Sequence, residues 1–230
     1  MTPASARRPP RDPYTTTYLR TLRAHLDLSL PRDAAVWACA LCAFWGLLRV
    51  GEATVPTQKS YSAAVHISRA GWSHTSAAPF VDPIQGASAA LHLPWTKTTR
   101  AAGALVVLTA RSDDLCPVTA VLVHLSTSPL SATAPLFAFS RAGRSVPLSR
   151  SMFLGRIKTA AAAAGLPLLH GHSFRIGGCT ELLLQGAAIE DVKAHGRWRS
   201  DAWTVYVREH VQVFSARLAQ VPAVRQQLIG

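Results

Sequence analysis

The apolar positions of this chain fall into three stretches with different periods. Up to residue 50 they recur at helical spacing or run together; between 60 and 110 they come in short β-favouring pieces; from 117 onward helical spacing returns. Residues 1–13, rich in Pro and Arg, read as a flexible arm, and residues 14–28 as a short helix. Pro31-Arg32-Asp33 offers a helix start with Asp33 as N-cap. Residues 34–50 are apolar on most faces, which predicts a buried helix, with Gly51 marking a break after it. Three strands are expected at 63–67, 89–94 and 104–109, as a small antiparallel sheet. The last two would form a hairpin with Lys97-Thr98-Thr99-Arg100 in its turn. Beyond it, Pro117 opens a helix to about residue 125, and Ser149 caps one through 164 that Gly165 closes. Residues 173–185 form an amphipathic helix ending at Gly186, and 189–195 a short one closed by Gly196. A further helix over 201–218 and a basic helical tail to Gly230 complete the chain. The fold class expected is mainly α with one small three-stranded antiparallel sheet (α+β), without internal repeats.

Composition adds a partner class. Hydrophobic residues make up 49% and charged residues 16%, enough apolar surface for a core. Lys and Arg number 24 against 12 Asp and Glu, a net charge of +12, which favours a polyanion, either nucleic acid or an anionic membrane surface. The longest apolar run, residues 34–48, stops at Arg49, short of the roughly 18 residues a membrane span needs. No apolar segment follows the N-terminal arginines, so they do not read as a secretory signal. Cys39 and Cys42 form a C-x-x-C with no second pair for zinc, and Cys116 and Cys179 stand alone. Buried thiols in a reducing, intracellular compartment are the expectation.

Five features carry candidate chemistry, and each has an ordinary structural explanation beside it. Arg49 ends the apolar helix, where a cation suits the helix dipole, and Glu52 three residues on can hold its guanidinium. Lys97 sits in a hairpin turn, a common place for a surface lysine, yet a turn can carry an ammonium into a neighbouring site. His172 and Arg175 share a face at a helix start, which makes an anion site or simply an amphipathic first turn. Trp198, in Gly196-Arg197-Trp198, can be core or can donate its indole N–H. Tyr206, in Trp203-Thr204-Val205-Tyr206, can be a packing residue with its hydroxyl at the rim.

Order and spacing join the five. Arg, Lys, His-x-x-Arg, Trp and Tyr in that sequence, over residues 33–210, resemble the tyrosine recombinase (phage integrase) family. The run Gly171-His172-Ser173-Phe174-Arg175-Ile176-Gly177-Gly178, followed by Gly196-Arg197-Trp198, is the most specific part, and Leu48-Arg49-Val50-Gly51-Glu52 matches the family's first arginine box. Gly-Arg-Trp and Asp114-Leu115-Cys116-Pro117 look most like the recombinases of eukaryotic mobile elements, which would place the chain in a nucleus.

The resemblance implies the tyrosine recombinase catalytic-domain fold and a site-specific recombinase or integrase acting on double-stranded DNA. Tyr206 would attack the scissile phosphate and form a 3′-phosphotyrosine link. Arg49 and Arg175 would clamp the phosphate through forked hydrogen bonds, and Lys97 would protonate the leaving 5′ oxygen. His172 would assist proton transfer or orientation, Trp198 would donate to a phosphate oxygen, and Glu52 would support Arg49. Storing the bond energy covalently requires neither cofactor nor metal. By the same resemblance, residues 1–32 would be an arm where a remnant of the family's N-terminal DNA-binding domain lies, 33–210 the catalytic domain, and 211–230 a tail joining copies into a homo-oligomer on DNA. Tyr206 follows Trp198 by eight residues, a shorter interval than in bacterial members. A one-residue shortening inside a helix turns a side chain by roughly 100°. A catalytically inactive DNA-binding remnant of a mobile element is the alternative class, and a type IB topoisomerase a third.

Overall fold

The computed structural model of the protein describes residues 11–73, 88–198, 200 and 203–204. Among them are seven α-helices, a three-stranded antiparallel sheet and a two-stranded one, a mixed α+β architecture.

Helix α1 (Thr16–Arg23) begins where the Thr15 hydroxyl accepts the Tyr18 N–H, and its Leu19 and Leu22 enter the main core. Helix α2 (Pro31–Trp45) runs through the middle of that core, nearly every residue from Ala34 to Trp45 being buried. Asp33 is not its cap: Leu30 holds that position, and the buried Asp33 carboxylate instead takes the Arg156 guanidinium at 2.6 Å and the Asp27 N–H at 3.1 Å. The helix also stops earlier than its apolar run suggests. Gly46 caps it, at a position where a Cβ would meet the Cys42 carbonyl at 2.7 Å and Val106 of the sheet at 3.0 Å. Leu47 then turns through a positive φ of 48°, Arg49 is extended, and the chain re-enters a one-turn helix, α3 (Val50–Ala53). Gly51 therefore lies within a helix and does not mark the break.

Residues 63–67 form no strand. Ser62 accepts the N–H groups of both Val65 and His66, curling the segment into turns, and β1 (Trp72–Ser73) follows a 3-10 turn at Arg69–Gly71. Strands β2 (Ser88–Leu93) and β3 (Ala104–Thr109) complete an antiparallel β1-β2-β3 sheet with Leu91 opposite Val106. Ala89, Leu91, Leu93, Val106 and Leu108 point into the core, while Leu105 and Val107 face out. Helix α4 (Pro117–Thr127) packs along α2. A hairpin absent from the sequence reading, β4 (Phe139–Arg141) and β5 (Arg144–Val146), turns through Ala142 and Gly143, both at positive φ.

Helix α5 (Arg150–Ala163) is capped by Ser149 and closed by Gly165 at φ 64°, as its residues predict. Helix α6 (His172–Leu184) lies so close to its neighbours that a Cβ on Gly178 would overlap the Phe44 carbonyl oxygen of α2, and one on Gly177 the Tyr14 carbonyl oxygen of the segment before α1. Helix α7 (Ile189–His195) ends at Gly196. All four cysteines are buried as free thiols. No helix of the described residues is long and apolar enough to cross a membrane. The predicted helix over 201–218 and the tail over 211–230 lie outside the described residues, save for Trp203 and Thr204.

Candidate functional site

Three backbone segments far apart in sequence meet where α2, α6 and α7 end or begin: the 46–49 connection, the first turn of α6, and the Gly196-Arg197-Trp198 turn. Arg175 holds them together. It is wholly buried, its Nη1 donates to the Leu47 carbonyl, and its Nη2 donates to the Gly196 carbonyl. The Trp198 ring lies over this guanidinium, 4.1 Å from Cζ to centroid, and folds back so tightly that any side chain on Gly196 would strike it.

Arg49 faces outward beside this knot. Its side chain is 30% exposed, and its Nη1 donates to Glu52 Oε1 at 2.7 Å. The Arg49 backbone N–H donates to Glu52 Oε2 at 2.9 Å, so the glutamate fixes both ends of the residue. His172, half-buried, opens α6 next to Gly171, where a Cβ would come within 2.8 Å of Val50. That close approach sets the start of α6 against the residue after Arg49. Burial, first, and then the charges of Arg11, Arg175 and Arg49 hold the His172 imidazole below its ordinary value. A neutral imidazole at neutral pH can accept a proton.

Arg49, Glu52, His172, Arg175 and Trp198 are thus brought together. Lys97 is placed in the predicted turn. Thr96, fully buried, accepts the N–H groups of Thr98 and Thr99 on its hydroxyl and leaves Lys97 exposed at the tip. Among the described residues no hydrogen bond or ion pair ties Lys97 to the arginine cluster. Tyr206 lies outside the described residues.

Compared with known proteins, the chain matches no family model and no curated protein.

Two features were not singled out from the sequence. The first is Arg197, at positive φ 60°, whose side chain is 8% exposed. Its Nη2 donates to Glu52 Oε2 at 3.0 Å and to the Leu47 carbonyl at 3.1 Å, and its Nη1 to the His195 carbonyl at 3.1 Å. Its place inside Gly196-Arg197-Trp198 was the signal available, but its glutamate partner is 145 residues away in sequence. The second is a cleft of about 390 Å³ next to His172, lined by Arg11, Arg150, Lys158 and His170, with no carboxylate among the described residues of its walls. Among the described residues no group of three or more His, Cys, Asp or Glu gathers as a metal site. Chemically, the arrangement offers a partly exposed guanidinium, a neutral imidazole and a surplus of positive charge, which suits an anion.

Proposed function

We propose that this chain is a DNA breaking-and-rejoining enzyme of the tyrosine recombinase type, built on that family's catalytic-domain fold and acting on double-stranded DNA. The observation that carries the reading is the convergence of Arg49, His172, Arg175 and Trp198 on one knot of loops, with Glu52 behind Arg49. Tyr206 Oη attacks the scissile phosphorus and its proton passes to His172. The new P–O bond is a 3′-phosphotyrosine, the P–O5′ bond breaks, and Lys97 delivers a proton to the leaving 5′ oxygen. Arg49 contacts the phosphate, and Arg175 beneath it adds charge and fixes the loop carbonyls. The cleft beside His172 takes the neighbouring phosphates of the duplex, and copies assemble on DNA through residues 211–230.

One observation favours a second reading, a catalytically inactive DNA-binding remnant: the Arg175 fork is spent on two carbonyls, where the resemblance assigns it to the phosphate. A suicide substrate separates the two. Purified chain is incubated with nicked duplex DNA in EDTA and run on a denaturing gel. The recombinase reading expects a covalent adduct that Tyr206→Phe abolishes. Salt-sensitive binding with no adduct on any duplex establishes the remnant.

A further inference from the structure

The Glu52 carboxylate does not belong to Arg49 alone. Its Oε1 takes Arg49 Nη1 at 2.7 Å, while its Oε2 takes Arg197 Nη2 at 3.0 Å. The three side chains differ in access to water: Glu52 is 6% exposed, Arg197 8% and Arg49 30%. Arg197 is held in this arrangement, because the carbonyls of His195 and Leu47 also accept from its Nη1 and Nη2 and its backbone holds a left-handed turn. An Arg so anchored spends its charge inside the protein and cannot itself reach a ligand.

We infer that Arg197 is a positioning residue that divides the Glu52 carboxylate with Arg49, leaving the partly exposed Arg49 guanidinium with positive charge for an anionic phosphate. The inference rests on the recombinase-type reading of the site. A glutamate facing one arginine makes a neutral pair, aligned but weakly attractive to an anion. A glutamate shared by two keeps the alignment and leaves a net positive charge, and water screens that charge only at Arg49. Arg197 also shares the Leu47 carbonyl with Arg175, so the same side chain fixes the connection from which Arg49 projects.

The test reads Arg49 itself. A guanidine reacts with phenylglyoxal in its deprotonated form, which a neighbouring positive charge promotes and an unshared carboxylate suppresses. Full-length parent, Arg197→Gln, Arg197→Lys and Glu52→Gln are treated with phenylglyoxal at pH 8, and the rate at Arg49 is followed by peptide mass spectrometry. Arg197→Gln is expected to slow Arg49 at least threefold and Glu52→Gln to speed it. Arg197→Lys, which keeps the charge and loses the fork, stays within twofold of the parent. An unchanged or faster Arg49 in folded Arg197→Gln overturns the inference and leaves Arg197 a purely structural residue. Should Arg197→Gln fail to fold, a change larger than twofold in Arg197→Lys overturns it. In parallel, adduct formation on nicked duplex should fall at least tenfold in Arg197→Gln and recover in part with Arg197→Lys. If the parent forms no adduct, the recombinase reading fails on its own, and the Arg49 rates still decide whether the charge is divided.

Discussion

Removing the Glu52 carboxylate perturbs the site more than removing the arginine it supports. In Glu52→Ala, Arg197 keeps its bonds to backbone carbonyls but stays buried with an uncompensated charge, and Arg49 loses both its side-chain and its backbone partner. Breaking a buried ion pair from one side costs about 3–5 kcal/mol. The two freed guanidiniums also repel each other, so the upper half of that range is expected. Arg49→Ala leaves Glu52 still paired with Arg197, and the lost contact was 30% exposed on the arginine side, so about 1 kcal/mol is expected. Urea unfolding at pH 7, followed by circular dichroism, measures both. With a slope of about 3 kcal/mol per molar, Glu52→Ala should move the midpoint down by about 1.3 M and Arg49→Ala by about 0.3 M. Equal shifts for the two variants, or a loss below about 1.5 kcal/mol for Glu52→Ala, would refute the claim that one carboxylate serves a buried and an exposed arginine together.

Two other outcomes follow from packing and titration. Gly178→Ala places a methyl group on the Phe44 carbonyl oxygen and must push α6 off α2, so a loss of at least about 3 kcal/mol is expected in the same urea assay; a loss under 1 kcal/mol would show that the helices can separate freely. Burial, chiefly, lowers the His124 imidazole from 6.5 to about 4, so the unfolded chain binds a proton that the folded one refuses. Its contribution is therefore complete above pH 6.5 and is lost as pH falls towards 4, to a total of about 3 kcal/mol. Unfolding free energy measured between pH 7 and 4 should fall less steeply in His124→Gln, by up to one proton's worth of slope, and identical slopes would contradict the burial argument.

What the sequence reveals and what it hides divide along the range of the interactions involved. The Ser149 cap, the Pro117 start and the stops at Gly165, Gly186 and Gly196 depend on neighbours within a few residues, and each stands where its local chemistry puts it. Asp33 is a good cap by the same chemistry, yet Arg156, on α5, outbids the local N–H groups for its carboxylate. Gly46 reads as one apolar position among many until Val106 and Leu108 of the sheet crowd it. The β-favouring residues at 63–67 suit a strand, but the Ser62 carbonyl takes the Val65 and His66 N–H groups into turns. The β4–β5 hairpin is too short, three residues a side, for a periodicity to register. Arg49, Glu52, His172, Arg175 and Trp198 were singled out by their order along the chain, and the fold sets them side by side. Where the Arg175 fork would go, and that Arg197 would meet Glu52, depended on loop carbonyls whose directions no residue type specifies.

Those carbonyl directions carry a cost, and the cost points back to the site. Leu47 and Arg197 are both non-glycine residues in the left-handed region, each at a penalty of roughly 1–2 kcal/mol. Leu47 is fully buried, so glycine would ease the backbone but empty a core position beneath α6. Its turn aims one carbonyl at two arginines, and the turn at Arg197 lets a single side chain reach that carbonyl and the Glu52 carboxylate at once. A simpler connection between α2 and α3 could bury the same leucine without strain. It would leave Arg175 and Arg197 without a common acceptor. Strain held at two facing turns, around three guanidiniums and one carboxylate, is better explained by the placement of positive charge than by stability, which unstrained turns would serve better.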